Sequence, residues 1–276
     1  MKIKLNHLVL GFAATAISLS AATVAEADKL DDVMSEGKVR CAVVLDFPPM
    51  GFRDADNNPT GLDVDVCKDL AKALGVEAEI VGVTWAERIP SLVSGKTDVV
   101  IASSSDTLER AKTVGLSIPY MVTYFQALLP ADSTVTKWEE LKDAKVGAAV
   151  GTTYESNFID YKAQKWPDSK GEFVTFQSEN ESFMAAGQGR VAATIGSDTS
   201  IANIIKSGKF GAVKAGPIAP FGKDVTAFMT LREEYGWLNY LNLFINHEHR
   251  NGRLQELYGK YVGGTMPDLT TPGVYR

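Results

Sequence analysis

Strand and helix signals alternate along this chain in two separate series, and each series is followed by an apolar stretch too extended in type for a helix. The extended stretches are residues 120–129 and 225–231. Because a β-α-β-α-β order is typical of a parallel sheet with helices on both faces, we predict two α/β units. Two extended crossings between them indicate a hinge, and hinged lobes of this kind bind a ligand in the crevice. The strands of the two series are predicted at residues 39–45, 76–84, 98–102, 145–150, 173–176 and 191–195.

The helices between these strands begin and end at recognisable signals. Residues 62–74 place their apolar side chains on one helical face, with Asp63 as the capping residue and Gly75 as the stop. Ser178 followed by Glu181 has the form of a capping box before a helix over 183–188. The other helices are predicted at 86–94, 108–114, from 152 onward, at 200–207 and at 235–261.

The first 27 residues have the composition of a cleavable signal peptide. Lys2 and Lys4 supply a positive start, residues 8–24 are apolar, and Ala25 and Ala27 supply the small residues of a cleavage site. We predict cleavage after Ala27 and export to an oxidising compartment. The alternative is an N-terminal membrane anchor, which a short run diluted by Ser, Thr and Gly disfavours.

Charge and cysteine content exclude several kinds of partner. The formal net charge of −6 argues against binding to nucleic acid or to an anionic membrane. Two cysteines and three histidines are too few and too scattered for a Cys/His metal site. In an oxidising compartment Cys41 and Cys67 either form a disulfide or remain two buried thiols, and the sequence leaves both possibilities open.

Enzymatic signatures are absent from the sequence. It has no G-x-S-x-G elbow, no P-loop and no H-E-x-x-H pattern. His247 and His249 lie two residues apart in a polar helix, which indicates a solvated face rather than a metal pair. We therefore predict no catalytic residue, no cofactor and no metal.

Polar residues that follow the predicted strands are the candidates for ligand binding. Ser103 and Ser105 precede a short helix that contains Arg110, and hydroxyls with free backbone N–H groups at a helix start favour an anion. Arg110 adds a bidentate contact suited to a carboxylate. Thr153 opens a helix of the second unit, and Asp198 follows a strand end, where its carboxylate suits an ammonium group. Each of these residues also has a simpler interpretation as part of a helix cap.

Two aromatic residues follow neighbouring strands of the first unit. Phe47 lies in a Pro-rich turn after the first strand, and Trp85 follows the second strand. They either sandwich a flat or aliphatic ligand or belong to the hydrophobic core.

The segments that carry these residues, in their order along the chain, resemble the periplasmic solute-binding proteins of polar amino-acid ABC transporters (solute-binding family 3). The resemblance covers nearly the whole mature chain. Any one segment is weak evidence, but their order and spacing together are specific. The shared segments are residues 46–50, 61–65, 85–90, 94–98, 105–112, 150–153, 189–193 and 258–261.

The resemblance implies a two-lobed, type II periplasmic-binding-protein-like α/β fold that traps one free amino acid. In the family pattern Arg110, assisted by Ser105 and the backbone at Ser103, clamps the α-carboxylate. Thr153 donates a backbone N–H to the same carboxylate, Asp198 takes the α-ammonium, and the two aromatic residues form the walls. The predicted ligand-binding residues are Phe47, Trp85, Arg88, Ser103, Ser105, Arg110, Thr153 and Asp198.

Departures from the family pattern bear on specificity. Ala102 stands where binders of basic and polar amino acids often carry a polar residue, and Asp106 and Leu108 replace the usual Ile and Pro. Val44 stands where binders of basic amino acids and glutamine carry Asp or Glu. Arg88 aligns with an arginine that faces the side chain of acidic ligands. These positions favour a polar or acidic amino acid.

We therefore expect a monomeric periplasmic protein that binds a free amino acid and delivers it, by cleft closure, to an ABC transporter permease in the inner membrane. Lobe 1 is predicted to comprise residues 28–124 and 226–276, and lobe 2 residues 125–225. The alternative is a cyclohexadienyl or arogenate dehydratase-like enzyme on the same fold. A crevice acid such as Glu155 or Glu179 would then carry the chemistry.

Overall fold

The computed structural model describes residues 28–267 and 269 as one mixed α/β molecule, so the predicted signal peptide lies outside the described residues. The strands are β1 (Lys38–Val44), β2 (Phe52–Arg53), β3 (Pro59–Thr60), β4 (Glu77–Val83), β5 (Val99–Ser105), β6 (Val114–Pro130), β7 (Val146–Ala149), β8 (Phe173–Phe176), β9 (Ala193–Ser197) and β10 (Val213–Leu231). The helices are α1 (Lys29–Glu36), α2 (Leu62–Leu74), α3 (Arg88–Val93), α4 (Leu108–Ala111), α5 (Thr153–Lys165), α6 (Glu179–Gly187), α7 (Asp198–Ser207), α8 (Tyr235–Arg250) and α9 (Arg253–Tyr261).

Eight of the strands form one sheet in the order β4-β1-β5-β10-β6-β9-β7-β8. Strand β1 pairs in parallel with β4 and β5, and β7 pairs in parallel with β8 and β9. The antiparallel pair β6 and β10 lies between these two parallel groups. The two α/β units predicted from the sequence are therefore present, joined by two long strands.

The hinge strands are longer than the sequence pattern predicted. Strand β6 has 17 residues and β10 has 19, and they contain the predicted stretches 120–129 and 225–231. Their pairing shifts register on both sides of Ile218. The part of β10 before Asp224 is mostly half-buried or exposed, so it lacks the apolar run that marks its second half.

The hydrophobic core is divided between the lobes. In the first lobe, Trp237 and Leu241 of α8 share a core with Val43 of β1 and Leu70 of α2. In the second lobe, two smaller cores form on either side of the sheet. The exact lobe limits, residues 28–124 with 226–276 and residues 125–225, stay a prediction.

Several local expectations were wrong. The helix predicted at 108–114 ends at Ala111, and Val114 already belongs to β6. Gly61 rather than Asp63 occupies the N-cap of α2, and Asp63 is buried. The segment predicted as one helix over 235–261 is two helices, because Gly252 adopts a left-handed φ of 82° between them. Strand β9 begins at Ala193, two residues later than predicted.

Cys41 of β1 and Cys67 of α2 form a disulfide. Both residues are fully buried in the first lobe. Of the two possibilities that the sequence left open, the structure contains the bonded one.

Within residues 28–267 and 269, no helix is both long and apolar enough to cross a membrane.

Candidate functional site

A small cavity lies between the two lobes. It is bordered by the carboxyl ends of β1 and β5, the start of α5 and the hinge strands. Six of the eight predicted ligand-binding residues line it, whereas Arg110 and Asp198 do not. The lining residues are Phe47, Met50, Trp85, Arg88, Ser103, Ser105, Thr123, Thr152, Thr153, Tyr154, Ser197 and Asp224.

Aromatic side chains form one wall of this cavity. The rings of Phe47 and Trp85 meet edge to face, with centroids 4.8 Å apart. Both rings are buried, as is that of Tyr154, which lies in the second lobe. Trp85 Nε1 and the Tyr154 hydroxyl are buried and have no hydrogen-bond partner among the described residues. Because an unpaired buried donor is costly, these atoms favour a polar ligand.

Arg88 is almost completely engaged by the protein. Its guanidinium donates to the carbonyl oxygens of Trp85 (3.1 Å), Ala102 (3.1 Å) and Gly151 (3.0 Å), and to Ser104 Oγ (3.3 Å). Arg88 is 3% exposed. Burial and the charge of a neighbouring arginine lower its pKa well below the ordinary value. Since four of the five N–H groups are used, little of Arg88 is left for a ligand carboxylate.

Arg110 has more free donors than Arg88. It donates from Nη1 to the Ser105 carbonyl at 3.0 Å and from Nη2 to the Gly151 carbonyl at 3.5 Å. It is half-buried, and the Thr107 hydroxyl caps the helix α4 on which it lies. Three of its N–H groups remain, enough for a bidentate contact with a carboxylate.

Gly151 connects the two lobes directly. Its carbonyl accepts hydrogen bonds from Arg88 and Arg110 of the first lobe, and its φ is 77°. A Cβ at this position would lie 3.0 Å from backbone atoms of Ala86. The structure therefore has a closed cleft.

A buried network fixes the floor of the site. Asp63 accepts hydrogen bonds from the Tyr120 hydroxyl (2.7 Å) and from Ser103 Oγ (3.2 Å). The Tyr120 oxygen also accepts the Ser103 backbone N–H at 2.9 Å. Ser103 has a φ of 44°, unusual for a residue other than glycine. Burial raises the pKa of Asp63 to about 7, although the two hydroxyls and the charge of Arg88 act to lower it.

The second lobe presents the start of α5 to the cavity. Thr152 is the N-cap, and its hydroxyl accepts the Glu155 backbone N–H and donates to the Ala149 carbonyl at 2.7 Å. The backbone N–H of Thr153 belongs to the first turn, where helical N–H groups have no partner within the helix. Glu155 accepts the Gly151 backbone N–H at 2.8 Å, so its carboxylate supports the turn from outside the cavity lining.

Asp198 lies where the hinge meets the second lobe. Its Oδ1 accepts backbone N–H groups from Tyr124 at 3.1 Å and Thr199 at 2.9 Å. It is half-buried, and burial raises its pKa. The neighbouring Ser197 lines the cavity, so Asp198 is adjacent to the site rather than in its wall.

Glu179, the other crevice acid considered from the sequence, also lies outside the cavity lining. It is the first residue of α6 and is fully buried. Burial and the nearby charge of Asp46, from the first lobe, raise its pKa well above the ordinary value.

The structure adds six lining residues that sequence reasoning missed as ligand contacts: Met50, Thr123, Thr152, Tyr154, Ser197 and Asp224. Asp224 is buried on β10, and burial raises its pKa to about 6 against the lowering effects of Ser105 and two arginines. Its one sequence signal was an acidic residue directly before the apolar stretch 225–231. Among the residues that the structure describes, no group of three or more acidic, Cys or His side chains is placed to hold a metal ion.

Comparison with known proteins gives consistent matches. L-cystine-binding protein TcyJ of Escherichia coli strain K12 is 26% identical over 274 residues, covering 95% of this chain and 99% of that protein. Cyclohexadienyl dehydratase of Pseudomonas aeruginosa is 30% identical over 116 residues, 42% of this chain and 43% of the enzyme. A solved structure of an ancestral amino acid-binding protein, a precursor of cyclohexadienyl dehydratase, matches with a TM-score of 0.76 and 30% identity, covering 84% of this chain and 99% of that one.

The matched structures support the type II periplasmic-binding-protein fold that the sequence resemblance implied. One protein-family sequence model matches residues 39–264, which is most of the chain. This chain therefore belongs to the bacterial extracellular solute-binding proteins, family 3.

Proposed function

We propose that this protein binds one free amino acid between its lobes and delivers it to the permease of an ABC transporter. The observation that carries the proposal is the closed interlobe cavity, which combines the Arg88 guanidinium, the Asp224 carboxylate, the start of α5 and two buried donors without a partner among the described residues. A relative that matches 95% of the chain is an L-cystine-binding protein, which is consistent with this class of ligand.

In this mechanism the zwitterion first binds the open first lobe. Arg110 pairs with the α-carboxylate, Ser105 assists, and Phe47 and Trp85 form the walls. The second lobe then rotates about β6 and β10 and adds the Thr153 backbone N–H. Closure removes water from the charges, which strengthens each charge-assisted hydrogen bond.

The ammonium end of the ligand is assigned to Asp198. One of its carboxylate oxygens already accepts two backbone N–H groups, which leaves Oδ2 for the ligand. Ligand binding offsets the cost of closing, so the closed state is populated when the protein is loaded. The permease then recognises the closed shape.

The side chain of the ligand is polar rather than acidic in our proposal. Arg88 is the residue that would face an acidic side chain, but it donates to three carbonyl oxygens and one hydroxyl of the protein. The free donors of Trp85 and Tyr154 suit an uncharged acceptor on the ligand.

Export completes the proposal. The predicted signal peptide, residues 1–27, sends the chain to the periplasm, in agreement with the extracellular setting named for its family. There the protein acts as a monomer.

A thermal-shift screen of the purified mature protein tests this function. The probes are the free amino acids together with cystine, each at millimolar concentration. A ligand that binds only the folded state raises Tm, by an amount that grows with concentration above Kd. We expect at least one polar amino acid to raise Tm and to give a one-to-one calorimetric titration. No shift with any of these probes would refute amino-acid binding.

The second candidate function is a dehydratase, because part of the chain is similar to cyclohexadienyl dehydratase. Neither Glu155 nor Glu179 lines the cavity, which disfavours a crevice acid at these positions. Turnover of prephenate by the purified protein would support this alternative, and its absence would leave amino-acid binding as the function.

A further inference from the structure

Asp224 is an acidic residue on the hinge side of the cavity. It lies on β10, directly opposite Thr123 of β6, and both residues line the cavity. Asp224 is 9% exposed. Its carboxylate is therefore part of the wall that a bound molecule would touch.

This carboxylate lacks a full set of partners. Within the described part of the chain, a hydrogen bond from the Ser105 side chain acts on it, and no ion pair shorter than 4.0 Å reaches it. The guanidiniums of Arg88 and Arg110 attract it, but their protein hydrogen bonds go to backbone carbonyls and to Ser104. An ionised carboxylate accepts several hydrogen bonds, and a buried one without them is costly.

We propose that Asp224 is a ligand-binding residue that accepts the α-ammonium group of the amino acid from the hinge side, in addition to Asp198. An ammonium group carries a positive charge and three donors, which match an under-coordinated carboxylate. In an α-amino acid the ammonium nitrogen and the carboxylate are bonded to the same α-carbon. A ligand whose carboxylate pairs with Arg110 therefore has its ammonium group close to Arg110 as well. Asp224 is attracted to Arg110 and lines the cavity, so it is placed for this contact.

This inference rests on the proposed function, and a purely structural role is its competitor. In that role Asp224 would only neutralise Arg110 and hold its guanidinium in place. The two roles differ in one measurable respect. A structural role affects every ligand with a carboxylate equally, whereas an ammonium contact affects only ligands that carry an ammonium group.

The test is a double-mutant cycle between the protein and the ligand. The variant is Asp224→Asn, which keeps the shape of the side chain and removes its charge. The probes are the amino acid with the largest Tm shift in the wild-type protein and its α-hydroxy analogue, which keeps the carboxylate and side chain. Calorimetry gives Kd for the amino acid, and displacement of that amino acid gives Kd for the analogue.

Asp106→Asn is the matched control. Asp106 is half-buried, and its negative charge raises the pKa of Asp224. Asp106 does not line the cavity. We expect Asp224→Asn to weaken the amino acid at least about tenfold more than the hydroxy acid, the ratio that one lost charge-assisted bond produces. Asp106→Asn should change both affinities by less than about threefold. Asp198→Asn, measured in parallel, should resemble Asp224→Asn.

Two results would overturn the inference while leaving amino-acid binding intact. Equal weakening of both probes would show that Asp224 acts only through Arg110. Unchanged affinity for both probes would show that Asp224 makes no contribution to binding. A wild-type protein that binds no amino acid would instead refute the proposed function itself. Far-UV circular dichroism and the Tm of the unliganded Asp224→Asn variant check that it folds.

Discussion

Gly151→Ala should prevent full closure of the cleft without creating a steric clash in the open protein. The added Cβ would lie 3.0 Å from Ala86 Cα and N and 3.2 Å from the Trp85 carbonyl carbon. These are backbone atoms of the opposite lobe, so no side-chain rotation can relieve the contact. The lobes must separate by a few tenths of an ångström instead. In the open state the two lobes do not meet there, and the added methyl group has no such neighbour.

The magnitude follows from the hydrogen bonds that this separation lengthens. The Gly151 carbonyl accepts Arg88 Nη2 at 3.0 Å and Arg110 Nη2 at 3.5 Å. A hydrogen bond from a charged group contributes roughly 1.5–3 kcal/mol, so the loss of one raises Kd about 10- to 150-fold. The left-handed backbone of alanine costs a further ~1 kcal/mol. That cost applies to the open and closed states alike, so it lowers stability and not affinity.

Gly189→Ala is the matched control for this variant. Gly189 also has a left-handed φ, 67° against 77° for Gly151, and a Cβ there meets nothing within 4 Å. Both variants should lose a similar amount in Tm, roughly 2–4 °C per kcal/mol for a chain of this length. Calorimetric titration with the amino acid found by the screen should show weaker binding for Gly151→Ala alone. Equal affinities for the two variants would show that the ligand-bound protein does not pack Gly151 against the backbone of Ala86.

Three further outcomes are expected. Arg110→Ala should weaken amino-acid binding by at least about 2–3 kcal/mol through the lost bidentate contact, and an unchanged calorimetric affinity would contradict this role. Replacing both Cys41 and Cys67 by alanine reopens a loop with a sequence separation of 26. It should cost about 3.5 kcal/mol of unfolding free energy, measurable by urea denaturation. The pKa of Asp63 is about 7 in the folded protein, against 3.8 for an ordinary aspartate. Between these two pH values the folded state binds more protons than the unfolded state. The free energy of unfolding therefore falls as pH rises from about 4 to about 7. Asp63→Asn should reduce the fall in Tm between pH 5 and pH 8. A variant whose Tm depends on pH as strongly as that of the wild-type protein would argue against this assignment.

The order of the elements could be predicted from the sequence because local patterns determine it. Apolar runs of β-branched residues formed β1 and β5, and α2 ends at Leu74 before Gly75, as predicted. The hinge was also visible, since residues 120–129 were too extended for a helix. The first half of β10 was missed because its pairing with β6, not its own composition, makes it a strand.

The candidate site was predictable only in part. Hydroxyl-bearing turns at strand ends identified Ser103, Ser105 and Thr153, because such turns carry their signal within a few residues. Asp63 was misassigned as a helix cap, since its partner Tyr120 lies 57 residues away. No local pattern distinguishes a capping carboxylate from one that is buried by a distant hydroxyl.

The role of Arg88 in ligand specificity also could not be predicted from the local sequence. Its position in the family pattern suggested a contact with an acidic ligand, but its donors are directed to carbonyl oxygens of β5, the Trp85 turn and the opposite lobe. Whether an arginine binds a ligand or the protein depends on which acceptors surround it in three dimensions. The sequence places none of those acceptors beside it except Trp85.

The two arginines also explain, within the proposed function, why closure would depend on a ligand. Closing the cleft places Arg88 and Arg110 against the same Gly151 carbonyl. Burial is the largest effect that lowers the pKa of each guanidinium, and the charge of Arg110 lowers that of Arg88 further. Two desolvated cations that repel each other oppose closure unless negative charge joins them. Asp224 supplies one such charge, and the carboxylate of the ligand supplies the second. Because the second charge arrives only with the ligand, the closed state is favoured when the cavity is filled.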